Sequence, residues 1–358
     1  MSKNKTYFYK DKPIFGLDIG FSSVKVMQME AGPKKARTRL TGYGIGGFDP
    51  KAIKDGVIVD HEALAMAIKE LFDKNIIGEI TTRRVALSIP AILTYTHTIN
   101  LPPVKESELK EAVELESEQY IPLPLQDLCL DYELIEKTDK AMEIITVAVP
   151  KKIVDSYLAL MDILGFEAIS LDTSISSSGR LFKMFESSSD IPSVLIDFGS
   201  IAADVTIFDK VNIVSGTLPV GGDTFTNLLA QNLKLSREEA HVIKTKYGIS
   251  KSKRQAEIIS IMQPELDRLV REVKRMMRYY SERTESKGKI GQVITMGGGA
   301  NMPGLSDYLT NALRLPVRTY DPWPSFDLGH LKPPTQNEKS VYATVAGLCL
   351  INPKELFS

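Results

Sequence analysis

Phe15-Gly16-Leu17-Asp18-Ile19-Gly20-Phe21-Ser22-Ser23-Val24-Lys25 is an apolar run, an Asp-x-Gly turn and a second apolar run. The second half of the chain repeats it as Val194-Leu195-Ile196-Asp197-Phe198-Gly199-Ser200-Ile201-Ala202-Ala203-Asp204. Each reads as strand, turn, strand. Two such hairpins predict two similar half-domains facing each other across a cleft. Glycine in a turn reaches φ values closed to other residues and lets backbone approach a ligand. Gly20, Ser22 and Ser23 would aim N–H groups at an anion as a nest. Asp18 would hold a water on a magnesium ion, which keeps much of its hydration shell. Lys25, on the return strand, would reach phosphates. Asp197 and Gly199 repeat Asp18 and Gly20. Asp204 either bonds within its turn or reaches the metal's outer shell. Taken singly, each hairpin also reads as an ordinary one with a polar tip.

A third element is Ile294-Thr295-Met296-Gly297-Gly298-Gly299-Ala300-Asn301-Met302-Pro303-Gly304, a strand ending in three glycines before a helix that starts near Leu305. Side chains there would block a flat ring, and Gly297, Gly298 and Gly299 leave room for adenosine. The helix N-terminus adds a partial positive charge that favours phosphate. The three elements, in this order and each after a buried strand, predict a nucleotide cleft.

The rest of the composition narrows the function. A chain of 358 residues fits two domains or more. With 43% hydrophobic and 25% charged residues, it is ordinary for a soluble globular protein. Its net charge of −1 excludes holding nucleic acid or an anionic membrane by charge alone. Cys129 and Cys349 form no metal motif or disulfide framework, so a reducing compartment and two buried thiols are expected. Residues 1–7 lack the apolar core of a signal peptide, and no apolar run reaches the roughly 20 residues of a membrane span. The expectation is a cytoplasmic protein that reaches a membrane only by docking on a partner, without direct insertion. His61, His97, His241 and His330 have no ligand spacing, and no serine lies in a nucleophile elbow, so ordinary hydrolase chemistry lacks its parts.

Charge runs read as solvated faces. Arg268, Arg271, Lys274, Arg275 and Arg278 interleave with Glu265, Asp267, Glu272 and Glu282, which argues against nucleic acid. Glu106, Glu108, Glu111, Glu114, Glu116 and Glu118 spread around a helix as exposed charge, or sit beside a basic membrane-protein tail. Trp323, in a proline-rich loop, either anchors a partner or pins the loop to its own domain.

Periodicity predicts strands at 13–19, 24–30 and 40–46, a helix capped by Asp60, and a buried strand at 85–90. A block with its own texture follows: strand 94–101, helix 105–120, strands 128–136 and 142–149, then helix 151–164 and strand 168–171. It reads as an inserted domain. The second half shows a capped helix from Ser236, a long amphipathic helix at 265–283, a loop at 321–335 and a final helix at 341–350. The expected division is 1–92 and 172–190 for the first subdomain, 93–171 for the insertion, 191–222 with 291–339 for the second half's sheet, 223–290 for its helical part, and 340–358 returning to the first.

The order of motifs resembles the actin-like ATPase superfamily. The first hairpin is similar to its phosphate-1 motif, the second to phosphate-2, and the glycine run to its adenosine motif. Ser88-Ile89-Pro90-Ala91 resembles the strand those proteins carry before the second half of their first subdomain. The inserted strand–helix–strand–strand block resembles the 1C subdomain of the FtsA division proteins. Within that branch the chain is similar to the PilM family of type IV pilus assembly proteins over essentially its whole length, including Leu218–Asp223 and the helix at 236–248. The resemblance implies an α/β fold with two domains around a cleft that binds ATP and Mg2+. Asp18 and Asp197 would act through metal-bound water. Gly20, Ser22, Ser23, Lys25, Gly199, Ser200, Gly221 and Gly222 would lie at the phosphates. Gly297, Gly298 and Gly299 would line adenosine, with Lys244 covering it.

Three departures bear on turnover. Ala202 stands where phosphate-2 carries threonine, His241 stands where a glutamate precedes the lysine, and Asp172 is the acid nearest the place of a water-orienting carboxylate. The implied activity is ATP binding with slow or absent hydrolysis. The implied role is assembly of the pilus inner-membrane platform, by binding the N-terminal cytoplasmic tail of PilN in a groove between subdomains 1A and 1C, which implies a cytoplasmic protein peripheral to the inner membrane through that partner. Self-association and an indirect link to pilus motor proteins are further implied. The alternatives are an FtsA-like polymerising division protein, disfavoured by a chain end without an amphipathic anchor, and a small-molecule kinase of the same fold, which needs a catalytic carboxylate and a substrate pocket.

Overall fold

The computed structural model describes residues 12–30, 37–186, 188, 190–283 and 288–352. Expectations placed on 1–7 and beyond 352 lie outside them. The first half begins with β1 (Phe15–Ile19), β2 (Ser23–Glu30), β3 (Arg39–Gly47), the small pair β4 (Ile53–Lys54) and β5 (Val57–Ile58), α1 (His61–Lys74), β6 (Ile76–Gly78) and β7 (Arg84–Ile89). A second stretch carries β8 (Tyr95–Leu101), α2 (Glu106–Ser117), β9 (Leu128–Lys137), β10 (Met142–Pro150), α3 (Lys151–Leu164), β11 (Glu167–Thr173) and α4 (Ser174–Phe185). The second half has β12 (Ser193–Phe198), β13 (Ala203–Asp209), β14 (Val211–Leu218), α5 (Gly222–Leu233), α6 (Arg237–Lys246), α7 (Gln255–Arg283), β15 (Gln292–Met296), α8 (Leu305–Leu313), β16 (Val317–Thr319) and α9 (Ala343–Leu348).

The repeat seen in the hairpins extends through both main sheets. The first runs β11-β7-β1-β2-β3-β6 and the second β14-β13-β12-β15-β16. Setting β6 aside, strand for strand the order is the same. In both, the first hairpin strand pairs antiparallel with the second and parallel with a later strand. The register repeats too: Asp18 faces Lys25 as Asp197 faces Asp204. All five residues of β1 are buried, because sheet neighbours and helices cover both faces. That is why the strand reads as an unbroken apolar run and not an alternation.

Three cores hold the halves. One lies under the second sheet, with Leu266, Leu269 and Val273 of α7 against Val205 and Ile207. Another joins Phe15 and Leu17 to Leu64 and Ile68 of α1. The third contains Met27, Tyr43, Leu195, Ile294, Trp323 and Val345, residues of both sheets and the C-terminal segment, and so fastens one half to the other. Its anchor is Trp323, 2% exposed, edge-on to Tyr43 with ring centroids 4.9 Å apart, its indole Nε1 donating to Lys339 O at 3.0 Å. Of the two readings of Trp323, the loop pin holds. In the same core α9 crosses α4 so closely that a Cβ on Gly347 would overlap Ser177 O. Only glycine permits that approach.

Three expectations change. The three-stranded sheet β8-β10-β9 stands apart, with α2 covering one face through Leu109 and Val113. However, α3 and β11, expected to close the inserted block, belong elsewhere. β11 pairs parallel with β7, and Ile153, Tyr157 and Leu160 of α3 are buried in the first-half core. The α3–β11 unit is a crossover back into the main sheet, and its local pattern could not say which sheet it rejoined. Secondly, α7 starts at Gln255, ten residues before the expected start at 265, and continues through Pro264. Proline removes one helical hydrogen bond and marks a break in sequence, but packing of Ile258 and Met262 into the core carries the helix across it. Thirdly, Cys129 is exposed, because it sits on β9 at the rim of that small sheet. The other thiol, Cys349, is partly buried: its Sγ donates to Met27 O at 2.9 Å, and burial pushes its pKa up to about 12.

Candidate nucleotide cleft and the neighbouring groove

The two turns take one shape. Gly20 N–H donates to Ser23 O and Gly199 N–H to Ala202 O, each at 2.9 Å. Both tips, the glycine run and α6 enclose one cleft of about 440 Å³ between the halves. Asp18, Gly20, Ser22, Ser23, Lys25, Asp197, Gly199, Ser200, Gly222, Lys244, Gly297, Gly298 and Gly299 line it. Gly221 lies just behind, packed against Ser200 O. Asp172 is not among the lining residues. It is held by Arg180 Nη2 at 2.8 Å and Ser177 Oγ at 3.1 Å, facing a different groove. The reason is topological: it ends β11, the outermost strand, whereas Asp18 ends a central one.

Equivalent positions carry opposite charge. In the first hairpin Asp18 Oδ2 accepts from Lys25 Nζ at 2.8 Å, and Oδ1 accepts from Ser88 Oγ on the parallel neighbour β7. Lys25 is therefore bound to Asp18, where both had been expected to face a ligand. In the second hairpin the position facing Asp197 is another acid. Asp204 accepts from Thr217 Oγ1 at 2.7 Å and from Ser174 Oγ at 2.8 Å. It thus ties the start of α4 to the second sheet. Asp197 Oδ2 accepts from Ser178 Oγ and Thr344 Oγ1, both at 3.2 Å. Burial, then the Asp204 and Asp18 carboxylates, push Asp197 up to about 6. Burial raises Asp204 as well. Among the described residues no cation forms an ion pair with Asp197 or Asp204 as Lys25 does with Asp18, and Lys25 offsets only part of the rise at Asp197.

The glycine run meets the second hairpin directly. Gly297 has φ +77°, its N–H donates to Ser340 O at 3.0 Å, and a Cβ there would overlap Asp197 Oδ1 and Phe198 O. Gly298 has only Val341 near its open side, which leaves a flat floor. On the far wall Lys244 Nζ donates to Gly222 O at 2.8 Å. Burial lowers its pKa, and burial followed by Lys244 lowers that of His241, which lines the cleft one helical turn earlier. The sequence reading missed Ser174, Ser178 and Thr344. Ser174 and Ser178 open α4 in the run Ser174-Ile175-Ser176-Ser177-Ser178, an unusual density of hydroxyls just after a strand, and that was the available signal.

Chemically, this is a glycine-floored cleft with backbone turns at one end and, behind them, an acid pair that forms no ion pair among the described residues. A hydrated divalent cation suits such acids, because water ligands bridge the metal to the carboxylates. Polyphosphate suits the turns, whose backbone approaches without side-chain obstruction.

A second groove, about 850 Å³, runs between the three-stranded sheet and the first half. Cys129–Ile135 of β9 form one wall; Ser170–Thr173 of β11, with Ile175, Gly179, Arg180 and Lys183 of α4, form the other. Phe208, Lys210 and Val211 close one side from the second half.

Among solved structures, the chain is similar to a PilM-PilN type IV pilus biogenesis complex, with TM-score 0.82, 22% identity and coverage of 94% of this chain and 97% of that one. It is also similar to MreB5 of Spiroplasma citri bound to ADP, with TM-score 0.55, 13% identity and coverage of 97% and 98%. These likenesses establish an actin-like ATPase fold. Among curated proteins, the cell division protein FtsA of Streptococcus pneumoniae serotype 2 (strain D39 / NCTC 7466) is 23% identical over 86% of this chain and 75% of its own length. Among the described residues no helix is long and apolar enough to cross a membrane. The profile of the family described as Type IV pilus assembly protein PilM matches residues 16–352, which is nearly the entire chain. The repeated hairpins, the shared strand order and this match lead to one conclusion: the chain belongs to the PilM family of type IV pilus assembly proteins.

Proposed function

We propose that this protein is an ATP-binding assembly factor of the type IV pilus platform that receives the N-terminal cytoplasmic tail of a PilN-type membrane protein. The small sheet with α2 serves as a 1C-type subdomain, and the groove beside it as the seat of the tail. That groove carries the proposal: it is large, bordered by unpaired sheet edges, and sits in a chain of this family. A short tail that is disordered alone gains apolar and main-chain contacts on ordering there. Binding would hold the protein at the cytoplasmic face of the inner membrane through its partner.

Mg-ATP would occupy the cleft. Mg2+ would sit near Asp197 and Asp18 through water, supplying the positive charge that the buried acid pair lacks. Lys25 would exchange Asp18 for phosphate as the metal takes over the carboxylate. Gly297–Gly299 would leave space for the nucleoside. With Ala202 in the second turn and Asp172 turned away into its ion pair with Arg180, the acid nearest the place of a water-orienting carboxylate does not face the cleft. ATP therefore acts as a ligand or slow switch: it favours one relative placement of the halves by binding that placement more tightly.

The exposed thiol of Cys129 provides the test. It lines the groove, whereas the partly buried Cys349 has its Sγ bonded to Met27 O and its pKa raised. A synthetic PilN-type tail should slow alkylation of Cys129 by a maleimide in proportion to its occupancy, with Cys349 slow throughout. Saturable tail binding with no change at Cys129 would place the tail elsewhere.

A further inference from the structure

β9 is an edge strand: it pairs with β10 and with no other described strand. The groove is lined by Cys129, Leu130, Asp131, Tyr132, Glu133, Leu134 and Ile135 without a gap. Successive side chains of a strand point to opposite faces. A lining made of consecutive residues therefore exposes the strand's edge, with its unpaired N–H and C=O groups, and not merely one face. The regular part, Cys129 to Leu134 before the bulge at Ile135, is six residues at about 3.3 Å each, an edge of roughly 20 Å. Such an edge is a template for another strand.

The charges along this edge have no ion-pair partners among the described residues; Asp131 Oδ1 accepts only from the Tyr132 backbone N–H at 2.9 Å. Asp131 and Glu133 are exposed, lie on the same face as Val147 and Ile145 across the ladder, and form no ion pair among the described residues. Across the groove, Lys183 and Lys210 also form none among the described residues. The floor between is apolar, with Ile145, Val147, Ile175 and Val211. A second copy of β9 would bring acids against acids, which disfavours edge-to-edge self-pairing. A wholly basic segment would meet Lys183 and Lys210.

We infer that the groove accepts its peptide as an added strand on the free edge of β9, and selects an apolar segment of mixed charge whose basic side chains lie beside Asp131 and Glu133. This rests on the groove assignment above and deepens it: it specifies the pairing mode and the charge pattern of the partner. Main-chain bonds to β9 supply affinity for any extended segment. The unpaired acids and bases decide which segment binds. Because the pairs are exposed, each changes affinity about 2–5-fold, and more at low salt.

The test uses the full chain and fluorescent seven-residue peptides of alternating apolar and charged residues, read by anisotropy and by Cys129 alkylation. One peptide carries lysine at the positions meant for Asp131 and Glu133. A second carries glutamate there. A third and a fourth keep the lysines but are N-methylated, each at one of the two alternating sets of backbone nitrogens. The lysine peptide should bind at least about 5-fold more tightly than the glutamate peptide at low salt. The double variant Asp131→Lys with Glu133→Lys should reverse that order. Methylation should weaken binding at least 10-fold on one of the two alternating sets, since only one set faces β9. The substituted residues are exposed, so folding is preserved, and an unchanged melting temperature checks this. If the platform tail protects Cys129 but charge reversal leaves the order unchanged, or neither methylation set matters, the edge-strand inference is overturned while the groove assignment stands. If neither the tail nor any peptide protects Cys129, the groove assignment itself fails.

Discussion

Asp197→Asn should make the protein more stable at neutral pH while crippling its cleft. The carboxyl is held at about 6 against an ordinary value of 3.8. That rise corresponds to about 3 kcal/mol in favour of the protonated form. Between these values the folded protein binds this proton more tightly than the unfolded chain does. The stabilisation is therefore full below about pH 3.8 and is lost as pH rises through about 6. At pH 7 the wild type carries a buried charge beside Asp204. The amide removes that charge and still accepts from Ser178 and Thr344, though its NH2 group needs an acceptor of its own. The net gain at pH 7 should be about 1–3 kcal/mol, shrinking toward zero near pH 4. The assay is denaturant or thermal unfolding of nucleotide-free wild type and variant from pH 4 to 8. With Mg-ATP the order should invert, because only the wild type gains ligand stabilisation. A variant less stable than wild type at pH 7, with a stability difference independent of pH, would refute the electrostatic account of the cleft.

Other substitutions probe separate parts. Lys25→Ala leaves Asp18 buried without its cation and should cost about 3–5 kcal/mol in urea unfolding, with partial recovery on adding Mg2+ and nucleotide. Gly297→Ala places a Cβ against Asp197 and Phe198 at φ +77°, so it should destabilise by more than about 1–2 kcal/mol and abolish nucleotide-dependent thermal shifts. Trp323→Ala empties the core shared by both halves and should cost about 3–5 kcal/mol, while leaving the affinity of a folded sample for a PilN-type tail within about 2-fold at low temperature. Nucleotide binding near pH 6 should release protons, seen as a dependence of calorimetric heat on buffer ionisation, since a cation favours ionised Asp197.

The fold was legible where local chemistry repeats. Asp-x-Gly after an all-apolar strand appears twice, and the structure extends that repeat to the order of whole sheets. The cleft-lining glycines could be named because each follows a buried strand. What failed to show in sequence depends on distant pairing. The crossover α3–β11 has the same local texture whether it rejoins the small sheet or the large one, and only its parallel register with β7 decides. Asp172 was the acid nearest the place of a water-orienting carboxylate in the resembling family, but its strand is outermost and Arg180 on the next helix claims its side chain. Lys25 looked free because an ion pair across a hairpin is a matter of register. Ser174 and Ser178 reach the second-half acids only once α4 crosses beneath both sheets. The exposure of Cys129 likewise follows from β9 lying at an edge, which residue type cannot reveal.

The central claim is that the two distant hairpins grip one nucleotide. Calorimetric titration of Mg-ATP into the wild type, Asp18→Ala and Asp197→Ala tests it most directly. Both variants should bind at least about 10-fold more weakly, the loss of a charge-assisted contact to the metal's water shell. Unchanged affinity in both would mean that the hairpins do not share a ligand.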